Sequence, residues 1–396
     1  MTSRPRRPIR GPRGAGPRIG QSLEDFRLNR ASIEVARSAI GPIRIGDDLV
    51  VMRPPRLSDG PAWREACERD AHLLRDSFVT PGLTWEQSIS LTAWADRVAQ
   101  QRSAVDAGSL VAYVVAYDDG RVAGEISFAI DARTAAAEVS LWVARDTPKQ
   151  VRTWMIGMAL LRIFSLPRPV RRVVAPVAVM NPGPVRLFEL LGFSKEATAR
   201  ELRLYGDEIV DHDIWWLNPG DELLTRFGRV LASFDPSAAR PAKDVTARRL
   251  LPDRIRMLVP VAKVFVRNAR PRRIAVAHRS TRTVAGHVLD LPTGHTGAVA
   301  IDGRTVGAMD VRHDGGTSTL EVWTDLTDPS SVELVAAALH DVAVDAGAHR
   351  LAWSLQPGSA EHAAVVAAGF TREGATTEPT SRPGVAHELW VDLLPA

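Results

Sequence analysis

Glu138 lies in the run Ala137 to Ala144, with Ser140 and Trp142 at alternate positions after it, so on a strand the three share one face. If that face lines a cleft, the carboxylate can serve as a general base; if it is solvated, Glu138 is only a strand-end charge. Glu125, in the preceding run Val122 to Ile130, is a second carboxylate of the same kind. Tyr205 could return a proton, or its phenol could pack on a closing strand. Lys149, Gln150 and Arg152 crowd the start of a helical segment. There, side chains and free N–H groups together suit an anion. Asn181 reads as a helix N-cap, with Pro182 at the first helical position and Gly192 at the left-handed C-terminal position.

Other chemistries have little to stand on. The lone Cys67 excludes an internal disulfide and a cysteine-based zinc site, and on its helical segment it reads as a core residue. No His/Asp/Glu grouping has metal-ligand spacing, so no metal is expected. Gly-x-Ser-x-Gly, Walker and Rossmann signatures are absent from the sequence. No stretch approaches the roughly 18–20 apolar residues of a membrane span. The arginine-bearing start lacks the apolar core of a secretory signal, so a cytoplasmic protein is expected.

Positioning these residues takes more than one domain. The 396 residues suffice for two or three, and 45% hydrophobic with 24% charged is a globular composition. The net charge of +4 hides segregation. Residues 1–20 hold six arginines and no acid, and residues 240–279 hold twelve Arg or Lys against Asp244 and Asp253, which leaves the remainder acidic. Such segments attract polyanions such as RNA or anionic lipid, or an acidic partner surface; alternatively they are a solubilising tail and an arginine-rich linker.

Residues 1–22, rich in Pro, Gly and Arg, are expected to be disordered. A globular segment spans 40–220: a strand at Val50, helices over 57–105, a hairpin turning at Asp118 to Arg121, and the strand of Glu138. A helix from Pro148, capped by Thr147, follows, then a strand over 172–179, the Asn181 helix and two closing strands. Residues 221–283 form a helical, basic junction. Residues 284–396 then repeat the order. Asp302-Gly303-Arg304 echoes Asp119-Gly120-Arg121, Trp323 echoes Trp142, Gly369-Phe370 echoes Gly192-Phe193, and His387 echoes His212. Four echoes in order argue for a duplication whose second copy lacks the 57–105 helices. The shared histidine suggests a structural role.

Asn181-Pro182-Gly183-Pro184 through Leu191-Gly192-Phe193 resembles the Asn-Pro-x-Ser…Leu-Gly-Phe helix of GNAT-superfamily acetyltransferases, in particular the RimJ/RimL type that acetylates ribosomal-protein N-termini. Arg53-Pro54 with Asp59, and Glu138 to Val143, resemble its opening segment and fourth strand. The resemblance covers roughly 45–217. It implies a mixed αβ fold, here two GNAT-like domains, each a twisted sheet flanked by helices. It further implies acetyl-CoA as co-substrate, with pantetheine pairing to the backbone of Leu141, Trp142 and Val143, and an amine acceptor: a protein N-terminus, a lysine or a small amine. Direct transfer needs a base and an acid: read from the residues, Glu138 is the candidate base with Glu125 behind it, and Tyr205 is the candidate acid; by the resemblance Asn181 is a CoA contact as well as a cap.

The sequence departs from that pattern where the phosphate loop should be. Arg145 to Arg152 has no glycine, so Lys149, Gln150 and Arg152 would have to hold the pyrophosphate through side chains. Pro184 replaces the family's serine. In the second copy, Asp328 would repel a phosphate. The functional expectation is an N-acetyltransferase active in its first domain. The other reading is a tandem pseudo-acetyltransferase that binds RNA, anionic lipid or a protein through its basic segments.

Overall fold

The computed structural model describes residues 19–80, 82–132, 134–220, 225–227, 260, 278–284, 287–293, 297–314, 317–324, 326, 329–345, 347–376 and 387–394. The basic segments 1–20 and 240–279, the helix expected over 221–234 and Asp328 therefore lie largely or wholly outside the described residues.

The first half runs α1 (Ile19–Arg37), β1 (Ile40–Ile45), β2 (Asp48–Arg53), α2 (Gly60–Arg69), α3 (Ala71–Phe78), α4 (Trp85–Ser88), α5 (Leu91–Asp106), β3 (Leu110–Tyr117), β4 (Val122–Asp131), β5 (Ala136–Val143), α6 (Lys149–Phe164), β6 (Arg172–Ala178), α7 (Gly183–Leu191), β7 (Ser194–Tyr205) and β8 (Glu208–Leu217). The second runs β9 (His278–Val284), β10 (His287–Thr293), β11 (Gly297–Ile301), β12 (Arg304–Asp314), β13 (Thr317–Thr324), α8 (Pro329–Asp345), β14 (Arg350–Leu355), α9 (Ala360–Ala367), β15 (Thr371–Thr376) and β16 (His387–Leu393). Residues 19–22, expected to be disordered, are instead the first turn of α1.

Among the described residues all strands join one mixed 16-stranded sheet, not two separate ones, ordered β1-β2-β3-β4-β5-β6-β8-β7-β15-β16-β14-β13-β12-β11-β10-β9. Read outward from the centre, each half has the same order. The halves meet where β7 pairs with β15 at Ala197 and Gly374. A Cβ on Gly374 would collide with that of Ala197, so only glycine permits this approach. Arg200 also donates its N–H to the Glu373 carboxylate across the seam, at 2.9 Å. A sheet edge is an unpaired row of donors and acceptors, and joining the two edges removes both.

Alternation sorts the first half's core to the two sides of its sheet. Val50, Met52, Phe128, Val139 and Val173 pack with α6 on one side. Trp63, Trp85, Trp94, Val114 and Trp142 form a second core under α2–α5 on the other. Arg53 and Asp59, the opening motif, make a buried two-pronged ion pair at 2.7 and 2.8 Å, and Asp59 also accepts the Arg56 N–H. The motif thus clamps the turn from β2 into α2. Gly192 ends α7 at φ 89°, the left-handed conformation its position requires.

Candidate active site

β5 and β6 are parallel and pair over only three positions, Ala136, Ala137 and Glu138 against Arg172, Val173 and Val174. Beyond Glu138 they part, while β5 stays paired with β4 as far as Val143. The backbone of Val139 to Val143, including Leu141 and Trp142, therefore offers its groups on the β6 side to whatever enters the slot.

The loop from β5 into α6 is tightly held. The Arg145 N–H donates to the buried Asp70 carboxylate at 2.7 Å, and the Thr147 hydroxyl to the Ala123 carbonyl at 3.1 Å. Thr147 is thus tied inward and does not cap α6. Pro148 holds the N-cap position, and Lys149 begins the helix. The Arg152 guanidinium turns back onto the Thr147 and Arg145 carbonyls at 2.7 and 2.6 Å, so it braces the loop. Lys149 and Gln150 stay exposed in the first turn, which contains no acid. With the unpaired N–H groups of that turn they suit a phosphate, without any glycine cradle. Asn181 does not cap α7 either. Its own N–H donates to Ala178, and Pro182 is the N-cap, with no side-chain cap bond.

Glu138 is the last paired residue before the strands part, at the root of the slot. Both its oxygens accept from Arg203 of β7, at 2.8 and 2.9 Å. To accept a proton, this carboxylate must first be released from that fork. Arg203 reaches it because β7 breaks register between Ala199 and Arg203, with Glu201 at φ 45°. The β7–β8 hairpin then crosses the face of β5 and meets α3, where Gly206 donates to the Asp76 carbonyl at 2.7 Å. Tyr205 stands two residues beyond Arg203 on the same face of this arch. The second half steadies the bend: His349 Nε2–H donates to the Glu201 carbonyl at 2.9 Å, while its Nδ1 accepts the Ser318 N–H at 3.2 Å.

Glu125, Trp142 and Ser140 share the β5 face that Glu138 occupies. Glu125 is 4% exposed, and its Oε2 accepts both the Trp63 and Trp142 indole N–H groups, at 2.8 and 2.7 Å. Arg97 Nε of α5 lies 3.3 Å from Oε1. Beside them, between α2–α5 and the sheet, is a cavity of about 430 Å³ walled by Trp63, Phe78, Trp85 and Trp142. Cys67 lines it, but burial first and Glu125 second push its thiol well above the ordinary range, so it is no nucleophile. Among the described residues no cluster could hold a metal, and no helix is long and apolar enough to cross a membrane.

Sequence reasoning ranked Glu125 below Glu138 and missed Asp70, Arg97 and Arg203. The last three come from distant segments and carry no motif.

The corresponding place in the second half is closed. β13 and β14 pair over five positions, Thr319–Trp323 with Arg350–Ser354, to within one residue of both strand ends. The buried Glu361 of α9 then spans the exit, accepting the Thr324 hydroxyl at 2.5 Å and the Leu326 N–H at 2.9 Å. Trp353 Nε1 donates to the same hydroxyl at 3.0 Å. His212, whose counterpart is His387, is buried on β8 with Nδ1 2.9 Å from the Val210 carbonyl. Desolvation holds its pKa below the ordinary value.

Residues 53–214 match the family model of the acetyltransferase (GNAT) domain. No curated protein matches the chain. Solved structures similar to it include three acetyltransferases. Mycobacterium smegmatis RimJ in complex with CoA-disulfide is 22% identical, with 50% of this chain and 95% of that chain covered at a TM-score of 0.45. RimL, a ribosomal L7/L12 alpha-N-protein acetyltransferase in complex with coenzyme A, is 17% identical, covering 44% and 97% at 0.39. Microcin C7 self-immunity acetyltransferase MccE, in complex with acetyl-CoA and AMP, is 15% identical, covering 47% and 99% at 0.39.

Proposed function

Taking residues 53–214 as an acetyltransferase (GNAT) domain, we propose that the first half of this chain is an N-acyltransferase using acetyl-CoA and an amine acceptor. The observation that carries this reading is the parting of β5 from β6 beyond Glu138. The thioester supplies an activated acyl group. The N–H and C=O groups of Leu141, Trp142 and Val143 hold the pantetheine arm, Lys149 and Gln150 with the first turn of α6 hold the phosphates, and Asn181 lines the α7 side. Backbone N–H groups of β5 polarise the acyl carbonyl. A C–N bond forms, the C–S bond breaks, one proton leaves the amine and one reaches the departing sulfur.

Arg203 of the arch holds Glu138, and Tyr205 follows Arg203 two residues along β7. Glu138 takes the amine proton once Arg203 swings aside, and Tyr205 returns one to sulfur. We read residues 284–396 as a degenerate second copy that steadies the arch. Three features support that reading: the repeated strand order, the closed second slot, and the buried pairs Arg172–Glu196 and Arg350–Glu373 at matching strand positions. The test is thiol release from acetyl-CoA across a panel of amines with the full chain. Glu138→Gln should lower kcat by 10²–10⁴, the usual worth of a positioned base. No turnover with any amine, or full activity in Glu138→Gln, would overturn the respective part.

The glycine-free phosphate loop favours a second reading, in which the chain is a binding module and its basic segments, residues 1–20 and 240–279, meet a polyanion. That protein would ignore acetyl-CoA and bind RNA or anionic vesicles with steep salt dependence.

A further inference from the structure

The Glu138–Arg203 fork stands where the acceptor amine must arrive, and its setting differs from that of the sheet's buried ion pairs. The side chains of Arg172–Glu196 and Arg350–Glu373 are at most 8% exposed, whereas those of Glu138 and Arg203 are 32% and 22% exposed. The floor around Glu138 is open and small. Ala129, directly opposite on β4, and Ser140, two residues on along β5, are both exposed. Arg203 is brought to this place by its backbone. β7 breaks register before it, Glu201 adopts φ 45°, and His349 of the second half holds the Glu201 carbonyl at 2.9 Å. A non-glycine residue in that conformation costs free energy, and such strain gathers at ligand clamps.

Arg203 donates to both Glu138 oxygens, at 2.8 and 2.9 Å, so an acceptor that binds the carboxylate must replace the guanidinium. A charge-assisted fork of this kind is strong, and its exchange is favourable only when both ions receive a substitute. An ammonium and a carboxylate joined through one carbon supply both and leave the net charge of the site unchanged. A monoamine or a protein lysine takes Glu138 and offers Arg203 nothing in return. A polyamine adds like charge beside the guanidinium. A protein N-terminus has a neutral peptide group where the carboxylate would be.

We infer that the acceptor is a free α-amino acid, whose ammonium and carboxylate replace the Glu138–Arg203 pair ion for ion. The inference rests on the acyltransferase reading for the reaction and on the fork alone for binding. The bound ammonium passes one proton to Glu138, and its nitrogen attacks the thioester carbon. The C–N bond forms and the C–S bond breaks. The nitrogen loses a second proton as sulfur gains one. The products are an N-acetyl amino acid, the thiol of CoA and the proton on Glu138. The product keeps the carboxylate but has no ammonium, so it no longer matches the pair, and the fork can close behind it.

The test has two arms, both with the full chain. In the first, thiol release from acetyl-CoA is followed with the standard amino acids other than cysteine, each beside its α-amide and its decarboxylated amine. At least one free amino acid should show kcat/KM at least tenfold above both analogues, because a site built for a charged group rejects the analogue that lacks it. In Arg203→Gln that ratio should fall to about one. Arg203→Lys keeps the charge without the fork, and the ratio should fall at least threefold. An unchanged ratio in both variants, or analogues that match every free amino acid, overturns the inference. In the second arm the same compounds are titrated by calorimetry without acetyl-CoA, and free amino acids should bind at least tenfold more tightly than their amides. If they do and none is turned over, the pocket stands and the acyltransferase reading falls. If amides and amines are turned over without preference, the acyltransferase reading stands and the inference falls. Neither binding nor turnover of any free amino acid overturns it outright.

Discussion

The β5–β6 and β13–β14 pairs occupy the same place in the two halves of one sheet and end differently. β5 leaves β6 after three paired positions, and β13 stays with β14 for five. In the first half, Lys149 and Gln150 stand at the head of α6 and Gly183-Pro184 at the start of α7, the helices that follow the two parted strands. In the second, Glu361 reaches across from α9, and its carboxylate takes the donors that a ligand would otherwise use. The same topology is thus a slot in one half and a sealed core in the other. The difference lies in two extra ladder positions and one buried carboxylate.

The comparison is most sharply broken at what the halves share. Arg172 pairs with Glu196, and Arg350 with Glu373, each nearly fully buried. Removing one member of such a pair leaves a bare buried charge and costs about 3–5 kcal/mol. Arg172→Met and Arg350→Met should therefore lower the midpoint of urea unfolding by similar amounts. A large effect in one half only would mean that the two pairs are not equivalent.

At the seam, Gly374→Val should cost about 1–3 kcal/mol, the usual penalty for forcing atoms into a packed contact. It should also split the unfolding transition by letting the halves melt apart. A single unshifted transition would show that the seam contributes nothing.

A smaller effect is expected at the arch. His349→Ala removes the donor to Glu201 and should lower kcat several-fold while leaving acetyl-CoA affinity unchanged, with His349→Gln restoring part of it. Equal losses in kcat and acetyl-CoA affinity would point to general damage instead.

The smallest effect is that of His212. Its folded pKa is depressed by burial, so the folded state favours the neutral ring. Its contribution is present above the ordinary value near 6.5 and is lost as pH falls from there through the folded value. His212→Gln should flatten stability over that range.

Much of this was legible in the sequence. The order of elements from Val50 to Leu217 followed from alternation, turn residues and caps, and the echoes of Asp119-Gly120-Arg121 and Gly192-Phe193 anticipated the repeated strand order. What could not be read was long-range. Nothing local to Arg203 says that β7 bends at Glu201 and carries it to Glu138, 65 residues away. Glu361 shows no sign of spanning a gap until β13 and β14 are seen together. The caps expected at Thr147 and Asn181 failed because each neighbouring proline sits at the N-cap itself. Thr147 is instead drawn into the core by the Ala123 carbonyl. The sheet's continuity depends on Gly374, an inconspicuous glycine whose only distinction is what lies opposite it.

The central claim is that one half of the chain has an open acetyl-CoA slot and the other a sealed one. It is tested most directly by calorimetric titration of acetyl-CoA into the full chain, its Lys149→Glu variant and its Glu361→Ala variant. The account predicts one site per chain. Affinity should fall about tenfold, roughly 1.4 kcal/mol, in Lys149→Glu, and the stoichiometry should stay at one in Glu361→Ala. Two equivalent sites, no site at all, or a single site indifferent to Lys149→Glu would contradict it.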